Sequence, residues 1–149
     1  MTQYYPPVGF HFKVEVIGLK ANDHDVHFTD VGGLNIEMST EEIAEGGQNR
    51  FLQKYPQRVK HPELTLKRGL LLNSEIVKWV RDCIENFIIT PKNIDITLLN
   101  EERNPLLTWH VVNAYPTKWS CSDLSATNNA IVVESLQFFY QYFSTDSEG

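Results

Sequence analysis

The chain has 149 residues, 42% of them hydrophobic and 21% charged, and carries a formal net charge of −6 at pH 7. This length predicts one domain with its own hydrophobic core, and the composition excludes an intrinsically disordered or collagen-like chain. No apolar run approaches the ~20 residues of a membrane-spanning helix, and the acidic balance argues against nucleic-acid binding through bulk charge. The opening residues lack the basic and apolar regions of a secretory signal, so we expect none.

Alternating hydrophobicity predicts strands in the first part of the chain. One face of a strand over residues 10–17 carries the apolar residues Phe10, Phe12, Val14 and Val16. An extended pattern resumes over residues 26–31, after which Gly32 and Gly33 predict a bulge or sharp bend. Residues 34–38 alternate again, which predicts that the strand continues past the bend.

A polar segment over residues 40–61 interrupts this pattern. It contains Gly46 and Gly47 and has no clear hydrophobic period. We interpret it as a long loop or projecting hairpin, and segments of this length in compact domains are usually functional. A short strand over residues 64–67 follows.

One helix is predicted over residues 73–88. Asn73 or Ser74 is suited to cap its N-terminus. Its apolar stripe consists of Ile76, Val80, Ile84 and Phe87. Trp79 lies at the border of this stripe. An apolar stripe of this kind is expected for a helix packed on a core.

Strands return after the helix. Residues 94–98 and 107–111 alternate between apolar and polar side chains. A longer connection is predicted over residues 113–129. Residues 131–143 form the last and longest predicted strand, and a polar tail follows over residues 144–149.

The pattern therefore contains about seven strands and one helix. Strands open and close the chain and the helix lies between them, which predicts an α+β, mainly β fold. The simplest architecture is a small β-sandwich or barrel with one packed α-helix, forming a single domain over residues 1–149.

Catalytic and metal-binding signals are weak. His24 and His27 lie near Asp23 and Asp25, but a turn gives these groups no spacing that would converge them on a metal. We interpret the cluster as a solvated turn. The sequence has neither the nucleophile elbow of acyl-transfer enzymes nor a phosphate-binding glycine loop. We therefore expect no catalytic residues, no metal and no cofactor.

Charge is distributed unevenly along the chain. Residues 21–45 hold seven acids and no Lys or Arg, giving −7, whereas residues 50–68 hold six bases and one acid, giving +5. Two interpretations stay open: solvated surface faces, or complementary patches that meet between copies of the chain. The interface candidates are Glu41, Glu42, Glu45, Arg50, Lys54, Arg58 and Lys60.

Several short motifs, none specific alone, follow one another along residues 4–143. They are Tyr4-Tyr5-Pro6-Pro7 before Phe10-His11-Phe12, Phe28-Thr29-Asp30-Val31-Gly32-Gly33-Leu34 with Glu37, Glu45-Gly46-Gly47-Gln48-Asn49, Leu64-Thr65-Leu66-Lys67-Arg68-Gly69, Trp79, Pro105 to Trp109, Asn113-Ala114-Tyr115-Pro116, Trp119, and Asn129 to Glu134. This ordered series resembles the tube-protein family of contractile phage tails and bacterial contractile injection systems.

The resemblance implies a hexameric ring whose subunits join their sheets into one continuous barrel, which removes exposed sheet edges. Stacked rings would form a hollow inner tube inside a contracting sheath. The implied partners are further copies of the chain, sheath proteins and baseplate or spike proteins, with effector cargo in the lumen. Assembly in the bacterial cytoplasm would precede incorporation into a phage tail-like particle, without stable membrane insertion.

The family contains trunk subunits and a baseplate-proximal kind that initiates the tube. The aromatic-Pro-Pro opening and the loop at residues 46–49 slightly favour the initiating ring. An aqueous channel leaves alternate strand residues polar. The lumen candidates on this basis are Asn35, Glu37, Ser39, Asp95 and Thr97. The alternatives are a type VI-like secreted ring protein that carries effectors and a β-barrel that binds a small ligand.

Overall fold

The computed structural model describes residues 11–43, 53–124, 126–127 and 131–147, with side chains described for these residues except 39–43, 53–60 and 147. The elements in chain order are β1 (His11–Val16), β2 (His27–Phe28), β3 (Asp30–Gly32), β4 (Glu37–Ile43), β5 (Gln53–Lys60), β6 (Leu64–Gly69), α1 (Glu75–Glu85), β7 (Lys92–Leu99), β8 (Pro105–Cys121), β9 (Val133–Phe139) and β10 (Tyr142–Ser147). The predicted α+β, mainly β class is confirmed.

Eight strands form one antiparallel sheet in the order β2-β1-β7-β8-β9-β6-β3, with β10 paired to β8. The two edge strands β2 and β3 are consecutive in the chain and are separated by Thr29. The backbone N–H of Thr29 donates to the carbonyl of Lys67 at 3.0 Å. The sheet thus folds over and brings its edges near each other, but β2 and β3 do not pair, so the subunit does not form a closed barrel.

The core lies between α1 and the sheet, where the helix packs mainly on β8 and also reaches β9. The buried face of the helix consists of Ile76, Trp79, Val80 and Cys83, at the i, i+3, i+4, i+7 spacing of an amphipathic helix. The Trp79 ring stacks on Phe138 with centroids 5.7 Å apart. The prediction was wrong for Ile84 and Phe87, which are exposed. Ile84 lies in the last turn of α1 but outside its buried stripe, and Phe87 lies beyond the end of the helix at Glu85.

The second half of the chain differs from the prediction in two places. β8 runs for 17 residues, so residues 113–121 are strand and not connection. Residues 131–143 divide between β9 and β10, and residues 144–147 of the predicted polar tail belong to β10. Both β9 and β10 pair with β8. The polar residues of β10 are compatible with a strand because this strand has one face in solvent.

The segment predicted as a loop or hairpin contains β4 and β5, which pair antiparallel as a separate two-stranded sheet. Residues 44–52 lie outside the described residues. The chain bends before β4 at Gly33, whose φ of +89° belongs to a backbone region that favours glycine. Strand structure resumes at Glu37 rather than at residue 34. No helix in the described part of the chain is long and apolar enough to span a membrane.

Candidate functional site

The β4–β5 hairpin places acidic positions opposite basic ones. Glu37 faces Lys60 and Glu42 faces Lys54 in the backbone register. Opposite charges at directly facing positions stabilise a strand pair. The interface candidates Glu41, Glu42, Lys54, Arg58 and Lys60 all lie on this hairpin, whereas Glu45 and Arg50 lie outside the described residues.

The acidic and basic segments also meet inside the subunit. Arg68, the last base of residues 50–68, forms a buried ion pair with Asp25, an acid of residues 21–45, at 3.0 Å. Part of the charge segregation therefore serves contacts within one chain. A contact between copies through these segments stays a prediction.

A polar face covers the outer side of β1, β7, β8 and β10. The register places Glu15 beside Asp95 and Asp95 beside His110. The next row contains Thr97 and Thr108, whose hydroxyl oxygens are 3.2 Å apart. Alternate residues of β7, such as Ile94 and Ile96, are fully buried in the core (0% exposed). The two faces of β7 are thus chemically opposite, and the outer one is suited to water.

His110 ties three strands of this polar face together. Its Nδ1 lies 2.8 Å from an oxygen of Asp95 on β7, and its Nε2 lies 2.6 Å from an oxygen of Asp146 on β10. The hydrogen bond to Asp95, followed by that to Asp146, raises the pKa of His110 above its ordinary value of 6.5. When both ring nitrogens carry protons, each N–H donates to one carboxylate. Alternation in the sequence places His110 on the polar face of its strand but gives it no partner.

This raised pKa makes the attachment of β10 depend on pH. The imidazolium stabilises the folded state fully below pH 6.5, and this contribution is lost as the pH rises through the raised pKa of the folded state. We expect the β10 amides to exchange hydrogen several-fold faster, relative to those of β7, at pH 9 than at pH 6. Hydrogen exchange of wild type and of His110→Gln measures this, and the variant should lose the difference. Equal pH dependence in both proteins would contradict the assignment.

The lumen candidates fall into two groups. Asp95 and Thr97 lie on the polar face of the eight-stranded sheet. Glu37 and Ser39 lie on β4 of the separate hairpin, and Asn35 precedes that strand. Asn35 and Glu37 are exposed. The structure therefore does not bring the five residues together on one strand face of a single subunit.

A buried polar network joins α1 to the sheet. Arg68 Nε donates to Glu134 at 2.7 Å, Nη2 donates to Ser74 Oγ at 2.8 Å, and Nη1 pairs with Asp25. The other oxygen of Asp25 accepts from the backbone N–H of Glu75 at 2.8 Å, at the start of the helix. A carboxylate at this place satisfies free helix N–H groups and interacts favourably with the helix dipole.

The network corrects the interpretation of residues 23–27 as a solvated turn, because Asp25 is only 1% exposed. Asp23 and His24 are exposed as expected. Arg68 and Glu134 could have been found from the sequence, since period-two alternation puts them on the same faces as Leu66 and Leu136. Asp25 precedes β2 in a turn, where alternation carries no such signal.

A shallow depression of about 450 Å³ opens at one end of the polar face. Its lining includes Lys13, Glu15, His27 and Arg103. Burial, and then the charge of nearby Arg103, lowers the pKa of His27. The mixture of cations and carboxylates gives this depression no single ligand preference. Within the described ranges, no group of three or more His, Cys, Asp or Glu residues could hold a metal ion.

Comparison with known proteins identifies relatives of the whole chain. Residues 8–144 match the family described as T4-like virus tail tube protein gp19. No curated protein sequence gives a significant match. The matched span includes all described strands up to β10, the helix and the hairpin, so the similarity concerns the complete fold.

Solved structures give the same picture. The chain is 25% identical to a chain of the anti-feeding prophage (AFP) baseplate, with a TM-score of 0.83 and coverage of 99% of this chain and 98% of that chain. It is 28% identical to a chain of the sheath–tube complex of an extracellular contractile injection system, PVC, with a TM-score of 0.78 and coverage of 97% and 94%. Hcp1 from Salmonella typhimurium, at 10% identity, TM-score 0.60 and coverage of 94% and 87%, shares the fold.

Proposed function

Because the chain belongs to the family of the T4-like virus tail tube protein gp19, we propose that it is a structural subunit of the hollow inner tube of a contractile injection system. The carrying observation is near full-length similarity to chains of the AFP baseplate and of the PVC sheath–tube complex. The proposed role is mechanical and not enzymatic. Its partners are further copies of the chain, sheath proteins and baseplate proteins.

Ring formation suits the exposed edges and the hairpin of the subunit. Among the described strands, β10 pairs only with β8, β3 pairs only with β6, and β2 pairs only with β1. Open edges template association, and joining them between neighbours in a closed ring removes that hazard. An isolated two-stranded hairpin is marginally stable in water, so contact of the β4–β5 hairpin with a neighbouring copy would stabilise it.

A baseplate-proximal, tube-initiating ring is the more specific candidate. It is favoured by the sequences Tyr4-Tyr5-Pro6-Pro7 and Gly46-Gly47-Gln48-Asn49. The TM-score is higher to the AFP baseplate chain (0.83 against 0.78), whereas the sequence identity is higher to the PVC sheath–tube chain (28% against 25%). Such a particle would be assembled in the bacterial cytoplasm, and effectors could occupy its channel. Antibody or gold labelling of the chain within intact particles tests the position. A label confined to the baseplate end supports the initiating ring, and a label along the tube supports a trunk subunit.

Purified protein provides the direct test of a tube role. We expect negative-stain electron microscopy of the concentrated chain, alone or mixed with sheath and baseplate proteins of its own system, to show six-fold rings or hollow tubes. Both the isolated chain and the mixture are needed, because tube subunits can stay monomeric until another protein nucleates their assembly. A monomer that persists with both sets of partners would contradict the proposal.

Lumen exposure of the polar face predicts a size-selective labelling pattern. In a Cys121→Ser background, which removes the exposed thiol, Thr97→Cys in assembled tubes should react with a small maleimide. It should resist a maleimide attached to a polymer wider than the channel. Glu37→Cys tests the hairpin group in the same way, and Lys78→Cys on the exposed side of α1 is the control that both reagents should label. Polymer labelling at position 97 would contradict a luminal position.

Charge reversal tests the contact between copies. We expect Arg58→Glu to abolish ring or tube formation at roughly ten times the concentration at which wild type assembles, because like charges would then oppose each other between copies. Arg58 is chosen because, unlike Lys54 and Lys60, it faces no acid in the hairpin register. Lys20→Glu makes the same kind of charge reversal at an exposed position outside the hairpin and should assemble normally. Sedimentation of the assembled fraction measures both, and unchanged assembly of the first variant would contradict the contact.

A further inference from the structure

Two clusters of exposed apolar side chains lie at the two ends of α1. We call the first the entry cluster; it consists of Leu70, Leu72, Ile131 and Val133. We call the second the exit cluster; it consists of Ile84, Phe87, Ile88 and Ile89. Leu72, Ile131 and Phe87 are 77%, 79% and 81% exposed, and grouped apolar surface of this kind often marks an interaction site.

The entry cluster combines residues of two segments that are joined by backbone pairing. The N–H of Leu70 donates to the carbonyl of Val132 at 2.8 Å, and Gly69 pairs with Val133 in the β6–β9 register. Leu72 lies two residues further along, just before the Ser74 N-cap of the helix. These contacts hold apolar residues of both segments at one end of α1.

In the exit cluster, Ile84 belongs to the last turn of α1, and Phe87, Ile88 and Ile89 lie on the segment just after the helix. The indole Nε1–H of Trp79 donates to the carbonyl of Thr90 at 3.1 Å and lies 3.0 Å from its hydroxyl. The N–H of Ile88 donates to the carbonyl of Asp82 at 3.4 Å. The exposure of Phe87, Ile88 and Ile89 therefore occurs on a segment anchored to the core and not on a free end.

The surface between the two clusters has a different chemistry. Lys78 pairs with Glu75 at 3.1 Å and Arg81 pairs with Glu85 at 3.0 Å along the exposed side of α1. In each pair the two opposite charges balance each other. The exposed side of the helix is therefore charged, whereas its two ends are apolar. The 11-residue helix separates the ends by about 16 Å.

We propose that the entry cluster of one copy packs against the exit cluster of the next copy in the ring, an inference that rests on the proposed tube function. A ring needs a head-to-tail contact, which requires two different but mutually complementary patches on every subunit. A foreign partner would need only one. Both clusters are apolar, so each offers the kind of surface that the other would cover.

The areas involved agree with one such contact per neighbour. Each cluster exposes on the order of 400 Å² of apolar surface, so their contact would bury about 800 Å², roughly half of a standard stable interface. The remainder is available from strand edges and from the β4–β5 hairpin. The clusters thus form the apolar centre of a larger contact, which is the usual arrangement of interface cores.

Cross-linking of assembled rings tests this contact. In the Cys121→Ser background, the double variant Leu72→Cys with Phe87→Cys is assembled, verified by electron microscopy and treated with a short bismaleimide. Within one subunit the two positions flank the whole helix, so the reagent should join different copies. We expect a covalent ladder up to the full ring from the double variant and no ladder from either single variant.

Charged substitutions give a second readout of the same contact. Leu72→Glu with Ile131→Glu, or Phe87→Glu with Ile88→Glu, should leave the melting temperature unchanged within a few degrees and lower the ring fraction at least tenfold. Ile17→Glu, at a half-exposed apolar position outside both clusters, is the control that should assemble. Rings without cross-links, dimers from a single cysteine variant, or normal assembly of the charged variants would overturn the inference while leaving the tube function in place. Absence of wild-type rings even with sheath and baseplate proteins present would instead overturn the tube function.

Discussion

Replacing Arg68 with methionine is expected to lower the free energy of unfolding by about 3–5 kcal/mol, the cost of breaking a buried ion network at one partner. The guanidinium is almost fully buried and contacts Glu134, Ser74 and Asp25. Its central carbon also lies 4.4 Å from the centroid of the Phe28 ring. Without it, two carboxylates would stay buried with no cation between them. Urea unfolding followed by tryptophan fluorescence measures the change.

Lys67→Met provides the matched control for this experiment. Lys67 is the preceding residue of β6 but points to solvent, so its replacement should change the free energy of unfolding by less than about 0.5 kcal/mol. A loss below about 1 kcal/mol for Arg68→Met would show that the network does not hold α1 on the sheet.

Replacing Gly33 with alanine is expected to destabilise the protein by about 2–4 kcal/mol, because a side chain there combines backbone strain with a steric clash. The residue has a φ of +89°. A Cβ at this position would lie 2.0 Å from the carbonyl oxygen of Glu63. Relief of that contact requires movement of the bend that leads into β4. The variant should therefore lose tube assembly as well as stability.

Gly32→Ala is the control that distinguishes this clash from the general loss of backbone flexibility on replacing a glycine. A Cβ at Gly32 would meet no atom within 4 Å, and β3 ends at this residue in extended structure. The free energy of unfolding of Gly32→Ala should therefore lie within about 0.5 kcal/mol of the wild-type value. Thermal or urea unfolding of both variants, with electron microscopy of each, measures the contrast. Equal stability of the two variants would contradict the role of the bend at Gly33.

The sequence predicted correctly those elements in which buried residues recur at the period of the strand or helix itself. The β1 alternation and the capped helix are examples, since Val14, Val16, Ile76 and Val80 are buried. The buried stripe of the helix includes Trp79, which was predicted to lie at its border. The end of the helix at Glu85 removes Phe87 from the core, and the apolar pattern by itself did not locate that end. Ile84 lies in the last turn of the helix, outside the buried stripe.

Features that depend on distant partners could not be predicted in the same way. The β10 segment contains Ser144, Thr145 and Asp146, and its polarity made it resemble a tail. It is a strand because β8 supplies its hydrogen bonds and because His110 binds Asp146. The burial of Asp25 likewise depends on Arg68, which lies 43 residues away.

The assembly surfaces show the same limit. The charge of residues 21–45 and 50–68 was visible in the sequence, but two open interpretations remained. The strand register adds a third interpretation of these charges, in which they pair within one hairpin: Glu37 faces Lys60 and Glu42 faces Lys54. The apolar clusters at the ends of α1 could not be identified before their exposure was known, because the same residues would suit a core.

The most direct test of the tube function is a cryo-electron microscopy map of the assembled chain with its sheath and baseplate proteins. We expect a six-fold hollow tube whose channel is lined by the polar face that carries Asp95, Thr97 and His110. We also expect α1 away from the channel, with its two ends against neighbouring copies. A chain that stays monomeric with those partners, or a channel lined by α1 instead of the polar face, would contradict this expectation.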